Sequence, residues 1–126
     1  MQNGSCLCGA VQYQVIGEVS GLSACHCGQC RKQSGHFWAS GFVQDEALKI
    51  TRDDGLKWYA SSKTAERGFC GTCGAFLFWR MHGEGTTSFS LGSLDGATGL
   101  KLSKHIFTAD KGDYYEIVDG LPQRKQ

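Results

Sequence analysis

The 126-residue chain reads as an all-β protein with few or no long helices, and three observations carry that reading. Short apolar runs alternate with polar residues at a period of two, the pattern of a strand that buries one face. Eighteen glycines against one proline, Pro122, break the chain into pieces too short for helices of more than three turns. Aromatic and β-branched residues fill the runs, and such side chains suit a pleated, half-buried surface.

The elements follow in order. Val11, Tyr13 and Val15 alternate with Gln12 and Gln14 and predict the first strand. "HFWASGFV" (36–43), "ALKI" (47–50), "LKWYA" (56–60), "ERGFC" (66–70), "AFLFW" (75–79) and "TSFSL" (87–91) predict six more. "HIFTAD" (105–110) and "YYEIV" (114–118) are read as one or two further strands. A turn or two of helix is expected only over "GQCRKQS" (28–34), and the polar "LPQRKQ" (121–126) as a frayed end. Strand after strand with short connections implies one or two sheets in a single domain spanning 1–126.

Composition excludes several functions. Thirteen basic and twelve acidic side chains are interspersed, with a formal net charge of +1, so no basic block is available for nucleic-acid phosphates. No apolar run approaches the roughly 20 residues that span a bilayer. The start, "MQNGSCLCGAV", carries neither a basic region nor an apolar core, so it is not read as a signal peptide. The expected location is the cytoplasm, where thiols stay reduced.

Seven cysteines therefore need a purpose other than disulfides, which use even counts in secreted chains. Their spacings are C-x-C at Cys6 and Cys8, C-x-C-x-x-C at Cys25, Cys27 and Cys30, and C-x-x-C at Cys70 and Cys73. Thiolates this close point to metal. The pair Cys70/Cys73, flanked by Gly71 and Gly74, has the form of a zinc knuckle, in which glycine permits the positive φ of the turn. A structural zinc needs four ligands, and two partitions supply them. Either Cys6 and Cys8 complete the knuckle and leave a separate triplet, or Cys27 and Cys30 pair with it as a ribbon. Spacing alone slightly favours the ribbon, because C-x-x-C pairs are the commoner ligand format, whereas economy favours the first partition, which employs all seven thiols.

"GSCLCGAV" (4–11), "CHCGQCRKQSG" (25–35), "RGFCGTCGAFLF" (67–78), "GSLD" (92–95) and "HIF" (105–107) occur in that order. Together they resemble the family of glutathione-dependent formaldehyde-activating enzymes and centromere protein V. The resemblance implies a zinc-containing, Mss4-like all-β fold. It implies a structural zinc on Cys6, Cys8, Cys70 and Cys73, and a second, catalytic zinc on Cys25, Cys27 and Cys30. The implied reaction is that of a carbon–sulfur lyase, reversibly joining a thiol such as glutathione to a small aldehyde such as formaldehyde. Two other classes remain as alternatives: a non-enzymatic zinc scaffold, and a thiol or metal sensor.

Three ligands and one open position is the format of a catalytic zinc, because the open position accepts water or substrate. Cationic neighbours would offset the thiolate charge, and Arg31 and Lys32 follow the triplet directly. Arg31, His36 and Arg67 are the residues expected to touch substrate: His36 as a proton carrier or fourth ligand, Arg67 as a fork for a carboxylate. The competing reading of Arg67 is a salt bridge to Glu66 or Asp95. His26, between two ligands, is expected to point away from the metal. His105 is expected to make a structural hydrogen bond, His82 to sit in a solvated hairpin turn, and Asp95 to form a turn. Phe37, Trp38, Phe76, Phe78 and Trp79 are expected in the core, one or two of them walling the pocket.

Overall fold

The computed structural model describes residues 1–126 and is built almost entirely of strands. In chain order these are β1 (Gln2–Ser5), β2 (Val11–Val15), β3 (Ser20–Cys25), helix α1 (Gly28–Ser34), β4 (Trp38–Gln44), β5 (Leu48–Asp53), β6 (Leu56–Ala60), β7 (Ala65–Cys70), β8 (Phe76–Met81), β9 (Thr86–Ser90) and β10 (Lys104–Ile106). A small sheet has the order β1-β2-β5, and a seven-stranded sheet the order β10-β3-β4-β9-β8-β7-β6. Every pairing is antiparallel except β10 on β3.

The core lies between the two sheets. Val11, Tyr13 and Val15, the alternate residues of β2, pack on Val43, Phe78 and Phe89 of the large sheet. Tyr13 meets Phe78 edge to face with ring centroids 5.0 Å apart. Each of these side chains is fully or almost fully buried, contributing roughly 1.5–3 kcal/mol. The Tyr13 hydroxyl is satisfied by Ser93 Oγ at 2.5 Å, and burial raises its phenol to about 12. Ser93 belongs to the "GSLD" segment, and its neighbour Asp95 accepts from Ser5 Oγ at 2.8 Å while donating its own N–H to Asn3 O. That segment ties the start of the chain to the large sheet.

Period two has a second consequence. Residues alternating with the core set, such as Ser40 and Phe42 on β4, Ser88 on β9 and Trp79 and Met81 on β8, face the other side of the large sheet. Helix α1 crosses that side. Its N-cap is Cys27, whose Sγ accepts from Cys30 N–H at 3.4 Å, and Gly35 ends it in the left-handed region.

Four segments depart from the sequence reading. Strand β1 (Gln2–Ser5) was not foreseen and exists by pairing with β2. "YYEIV" forms no strand, because the place beside β10 is taken by the chain's end: His105 N–H bonds Pro122 O, and Arg124 N–H bonds His105 O. The tail expected to fray is therefore held as far as Lys125, whose carbonyl accepts from Ala109 N–H. Strand β3, "SGLSAC", was not foreseen; it has no β-branched residue, and its pairing comes from β4 and β10 on either side. No helix is long and apolar enough to cross a membrane.

Candidate metal centres and active-site cavity

The seven thiols gather into two groups. Cys6, Cys8, Cys70 and Cys73 form one and Cys25, Cys27 and Cys30 the other; within each, the sulfurs lie within 4.8 Å of one another. The foursome joins the β1–β2 turn to the β7–β8 turn. Cys6 Sγ is 3.7 Å from Cys8 Sγ, which is 3.8 Å from Cys70 Sγ. A tetrahedron with Zn–S bonds of about 2.3 Å has edges of about 3.8 Å, so these sulfurs fit the ion. Val11 N–H points at Cys6 Sγ and Cys73 N–H at Cys70 Sγ, as expected where sulfur carries negative charge. Gly9 and Gly74 follow Cys8 and Cys73, and each is left-handed at φ 82°. Gly55 makes room: a Cβ there would sit 2.7 Å from Cys70 Sγ.

The triplet is assembled from the end of β3 and the first turn of α1. Cys25 and Cys30 are buried and Cys27 is half-buried. All three line a cavity of about 420 Å³ on the outer face of the large sheet. A set of three thiols with one side toward a cavity matches the three-ligand zinc format, as the closed set of four matches the structural one. Both clusters can hold a metal ion.

Proton competition marks each cluster. Donation from Cys25 holds the Cys27 thiol down, at about 2, and raises Cys25 in turn. In the foursome the Ala75 N–H lowers Cys73 to about 6. Cys8 is drawn down by the Ala10 N–H, but burial and its thiol neighbours outweigh that and leave it at about 11. Thiols packed this closely cannot all ionise unless a cation replaces their protons.

Arg67, on β7, supplies positive charge to the triplet. Its Nη1 and Nη2 donate to Cys30 Sγ at 3.5 and 3.6 Å, and its guanidinium lies 5.4 Å from the Phe76 ring centre. It is 5% exposed, and its Nε has no partner. Neither expected salt bridge forms. Glu66 is held by Arg80 at 2.5 Å, and Asp95 is engaged with Ser5. The cation faces sulfur instead.

The other two residues expected to touch substrate lie elsewhere. His36 Nδ1 meets the Tyr114 hydroxyl at 3.1 Å, and the His36 ring packs against Phe37 and Tyr115. Arg31, half-buried, opposes the rise that burial imposes on the Tyr115 phenol. Neither lines the triplet cavity. His26 points away from the thiols, as its place between two of them requires. Its Nδ1 contacts the Tyr115 hydroxyl, its Nε2 is 2.9 Å from His105 Nδ1, and His105 Nε2 is 2.7 Å from Asp119 Oδ2. Desolvation lowers His26. The chain of contacts fastens the C-terminal segment to β3, which makes His105 structural. His82 is exposed in the β8–β9 turn.

Comparison with known proteins settles the family. The profile described as glutathione-dependent formaldehyde-activating enzyme matches residues 1–110. The chain belongs to this family. It is 29% identical over 121 residues to an uncharacterized lyase of Schizosaccharomyces pombe, covering 92% of this chain and 85% of that one. A crystal structure of a Rhodobacter sphaeroides protein superposes with a TM-score of 0.59 at 25% identity, covering 77% of this chain and 91% of that one. Family membership agrees with the all-β fold that the motifs implied. Tyr115 and Asp119 lie beyond the matched region, so the family motifs could not have pointed to them. Phe107, Met81 and Lys104 at the cavity were also missed; period-two register places Met81 and Lys104 there, and Phe107 reaches it from the left-handed turn that follows β10.

Proposed function

We propose that the chain is a zinc-dependent enzyme of the carbon–sulfur lyase type that joins and separates a small thiol, glutathione or one like it, and a small aldehyde such as formaldehyde. The observation that carries this reading is the placement of Cys25, Cys27 and Cys30 along one cavity wall with Arg67 against Cys30. The family description and the lyase name of the yeast relative support it.

Cys25, Cys27 and Cys30 would hold the catalytic zinc, and Cys6, Cys8, Cys70 and Cys73 the structural one. Held at the triplet, zinc would supply a Lewis acid able to ionise an incoming thiol near neutral pH, where a free thiol is only a few per cent thiolate. Three thiolates with a divalent cation would leave one negative charge, and the Arg67 guanidinium beside Cys30 is placed to offset it. The rest of the chain's work is positional. The Cys30 N–H holds Cys27 Sγ in place, and α1 carries Cys30 against Arg67. Trp38 closes the back of the site, its Nε1 donating to Ser90 Oγ at 2.6 Å while its ring lies 4.4 Å from that of Phe76. A thiol and a carbonyl compound held together there gain from proximity, which an enzyme can add even to a reaction that also runs unaided.

The test is X-ray absorption at the zinc edge with metal counting by native mass spectrometry, before and after adding glutathione. Two zinc ions per chain are expected, and glutathione adds sulfur to the average shell. One zinc per chain, with Cys25, Cys27 and Cys30 open to alkylation, would end the proposal.

A further inference from the structure

A one-carbon aldehyde occupies little of a cavity of about 420 Å³, a volume within the range of sites for whole small molecules. Trp38, Phe42, Trp79, Met81, Ile106 and Phe107 give the walls a mostly carbon surface around the three thiols, with five serines and Gln29 set among them. Only two charged side chains reach it, Arg67 and Lys104, and the terminal nitrogens of Arg67 already face Cys30. A body carrying several charges would find one free cation there. An adjoining open cleft shares Gln29, Ser61 and Arg67 with the cavity and adds Lys32, Gln33 and Tyr59. The added cation, amide and hydroxyl give the charged ends of a thiol such as glutathione partners outside the cavity, which leaves the space between the aromatic walls to the other reactant.

Phe107 is the second observation. It is the one non-glycine residue in the left-handed region, at φ 54° and ψ 39°, and it sits at the cavity with 39% of its surface exposed. A bulky side chain in that conformation is strained and persists only where its surroundings hold it. Here they do. His105 on one side bonds Pro122 and Arg124 through its backbone and His26 and Asp119 through its ring; Thr108 N–H on the other bonds Arg124 O. The C-terminal segment thus holds an aromatic ring at the cavity edge.

Resting on the reading above, we propose that the carbonyl substrate is an aldehyde with an apolar body about the size of a phenyl group. That body lies in the triplet cavity, and Phe107 is a specificity-determining residue at its edge. In the reaction a sulfur lone pair forms the C–S bond while the C=O π pair moves to oxygen, which takes up the proton the thiol gave; nothing is oxidised or reduced. The reverse step breaks the same bond.

Two measurements on the zinc-loaded protein test this. In the first, tryptophan fluorescence follows titration with the unreactive 3-phenylpropan-1-ol, with propan-1-ol as control. Saturable binding is expected at concentrations about tenfold or more below any effect of propan-1-ol. Phe107→Gly, which suits the left-handed backbone and so keeps the fold, weakens it about fivefold or more, and Phe107→Leu restores part of the loss. In the second, exchange NMR follows glutathione adducts of formaldehyde, propanal and 3-phenylpropanal. The enzyme accelerates 3-phenylpropanal about tenfold or more over propanal, and Phe107→Gly narrows that ratio. Acceleration of formaldehyde alone, without binding of the phenyl alcohol, overturns the proposal and leaves the lyase reading intact. Faster reaction of 2-phenylethanethiol with formaldehyde than of glutathione with 3-phenylpropanal overturns it too, by giving the cavity to the thiol. Binding of the alcohol without acceleration of any aldehyde overturns the lyase reading and this proposal with it.

Discussion

The two cysteine clusters use one kind of donor in two kinds of surroundings. Cys6 and Cys70 belong to the main core, packed with Val11, Tyr13 and Phe78, and their cluster joins the start of the chain to its middle. Cys25 and Cys30 belong to a small satellite cluster with Trp38 and Phe76, drawn from one short helix and its neighbouring strands. A metal in the first would bridge elements some sixty residues apart, as the Cys8–Cys70 contact shows. In the second it would bridge residues within six positions and face a cavity. In the proposed reading, chain separation and access, and not the chemistry of the donor, separate the structural metal from the reactive one.

The largest effect is expected from the foursome. Cys73→Ser removes one of four ligands, and structural zinc supplies about 10–16 kcal/mol of apparent binding energy in small domains, comparable to a whole domain's stability. Near-UV circular dichroism and a thermal scan should show no cooperative native state. A native-like variant would erase the contrast between the clusters.

Cys27→Ser should behave differently. The protein stays folded, loses one zinc equivalent by native mass spectrometry, and loses aldehyde–thiol exchange. Global unfolding of that variant would make the triplet structural as well.

Arg67→Met keeps the volume and removes the cation beside Cys30. Zinc affinity at the triplet should fall about 10- to 100-fold in competition with a chelator, the range found when groups that support metal ligands are lost. The foursome should be untouched, so unequal loss from the two sites sharpens the comparison. Equal loss from both would show that Arg67 acts on the fold.

The smallest effect concerns Asp119. The Leu121 N–H and His105 hold its carboxyl below the ordinary value of about 3.8. A depressed folded value means that its contribution is complete above that ordinary value and fades as pH falls through the lower one. Asp119→Asn should therefore speed hydrogen exchange at the Arg124 and Thr108 amides at neutral pH, with the difference from the parent vanishing in strong acid. A difference unchanged across pH would remove Asp119 from the anchor.

Much of this was open to reading in the amino-acid order. Strands β2 and β4 to β9 follow alternations that each need only five to seven neighbouring residues. The cysteine spacings are local too, because sulfurs two or three residues apart converge on a point wherever the chain turns. Glycine at positions 9 and 74 tells the same story at the level of a single φ.

Other features had no local signal. Strand β3 lacks β-branched residues and exists because β4 and β10 flank it. The choice between the two partitions of seven thiols depends on which turns meet in space; spacing leaned slightly to the ribbon, and resemblance pointed to the grouping that the fold assembles. Arg67 was read toward carboxylates, since a buried guanidinium usually finds one, yet the sheet delivers it to Cys30, thirty-seven positions back in the chain. The cavity draws one to three residues from each of β3, β4, β7, β8, β9 and β10, so its chemistry is written in register and not in sequence order. Local periodicity determines what each segment can become. Which faces meet is a long-range property, set when the sheets pack, and that packing alone decided where the clustered thiols met their cation and their cavity.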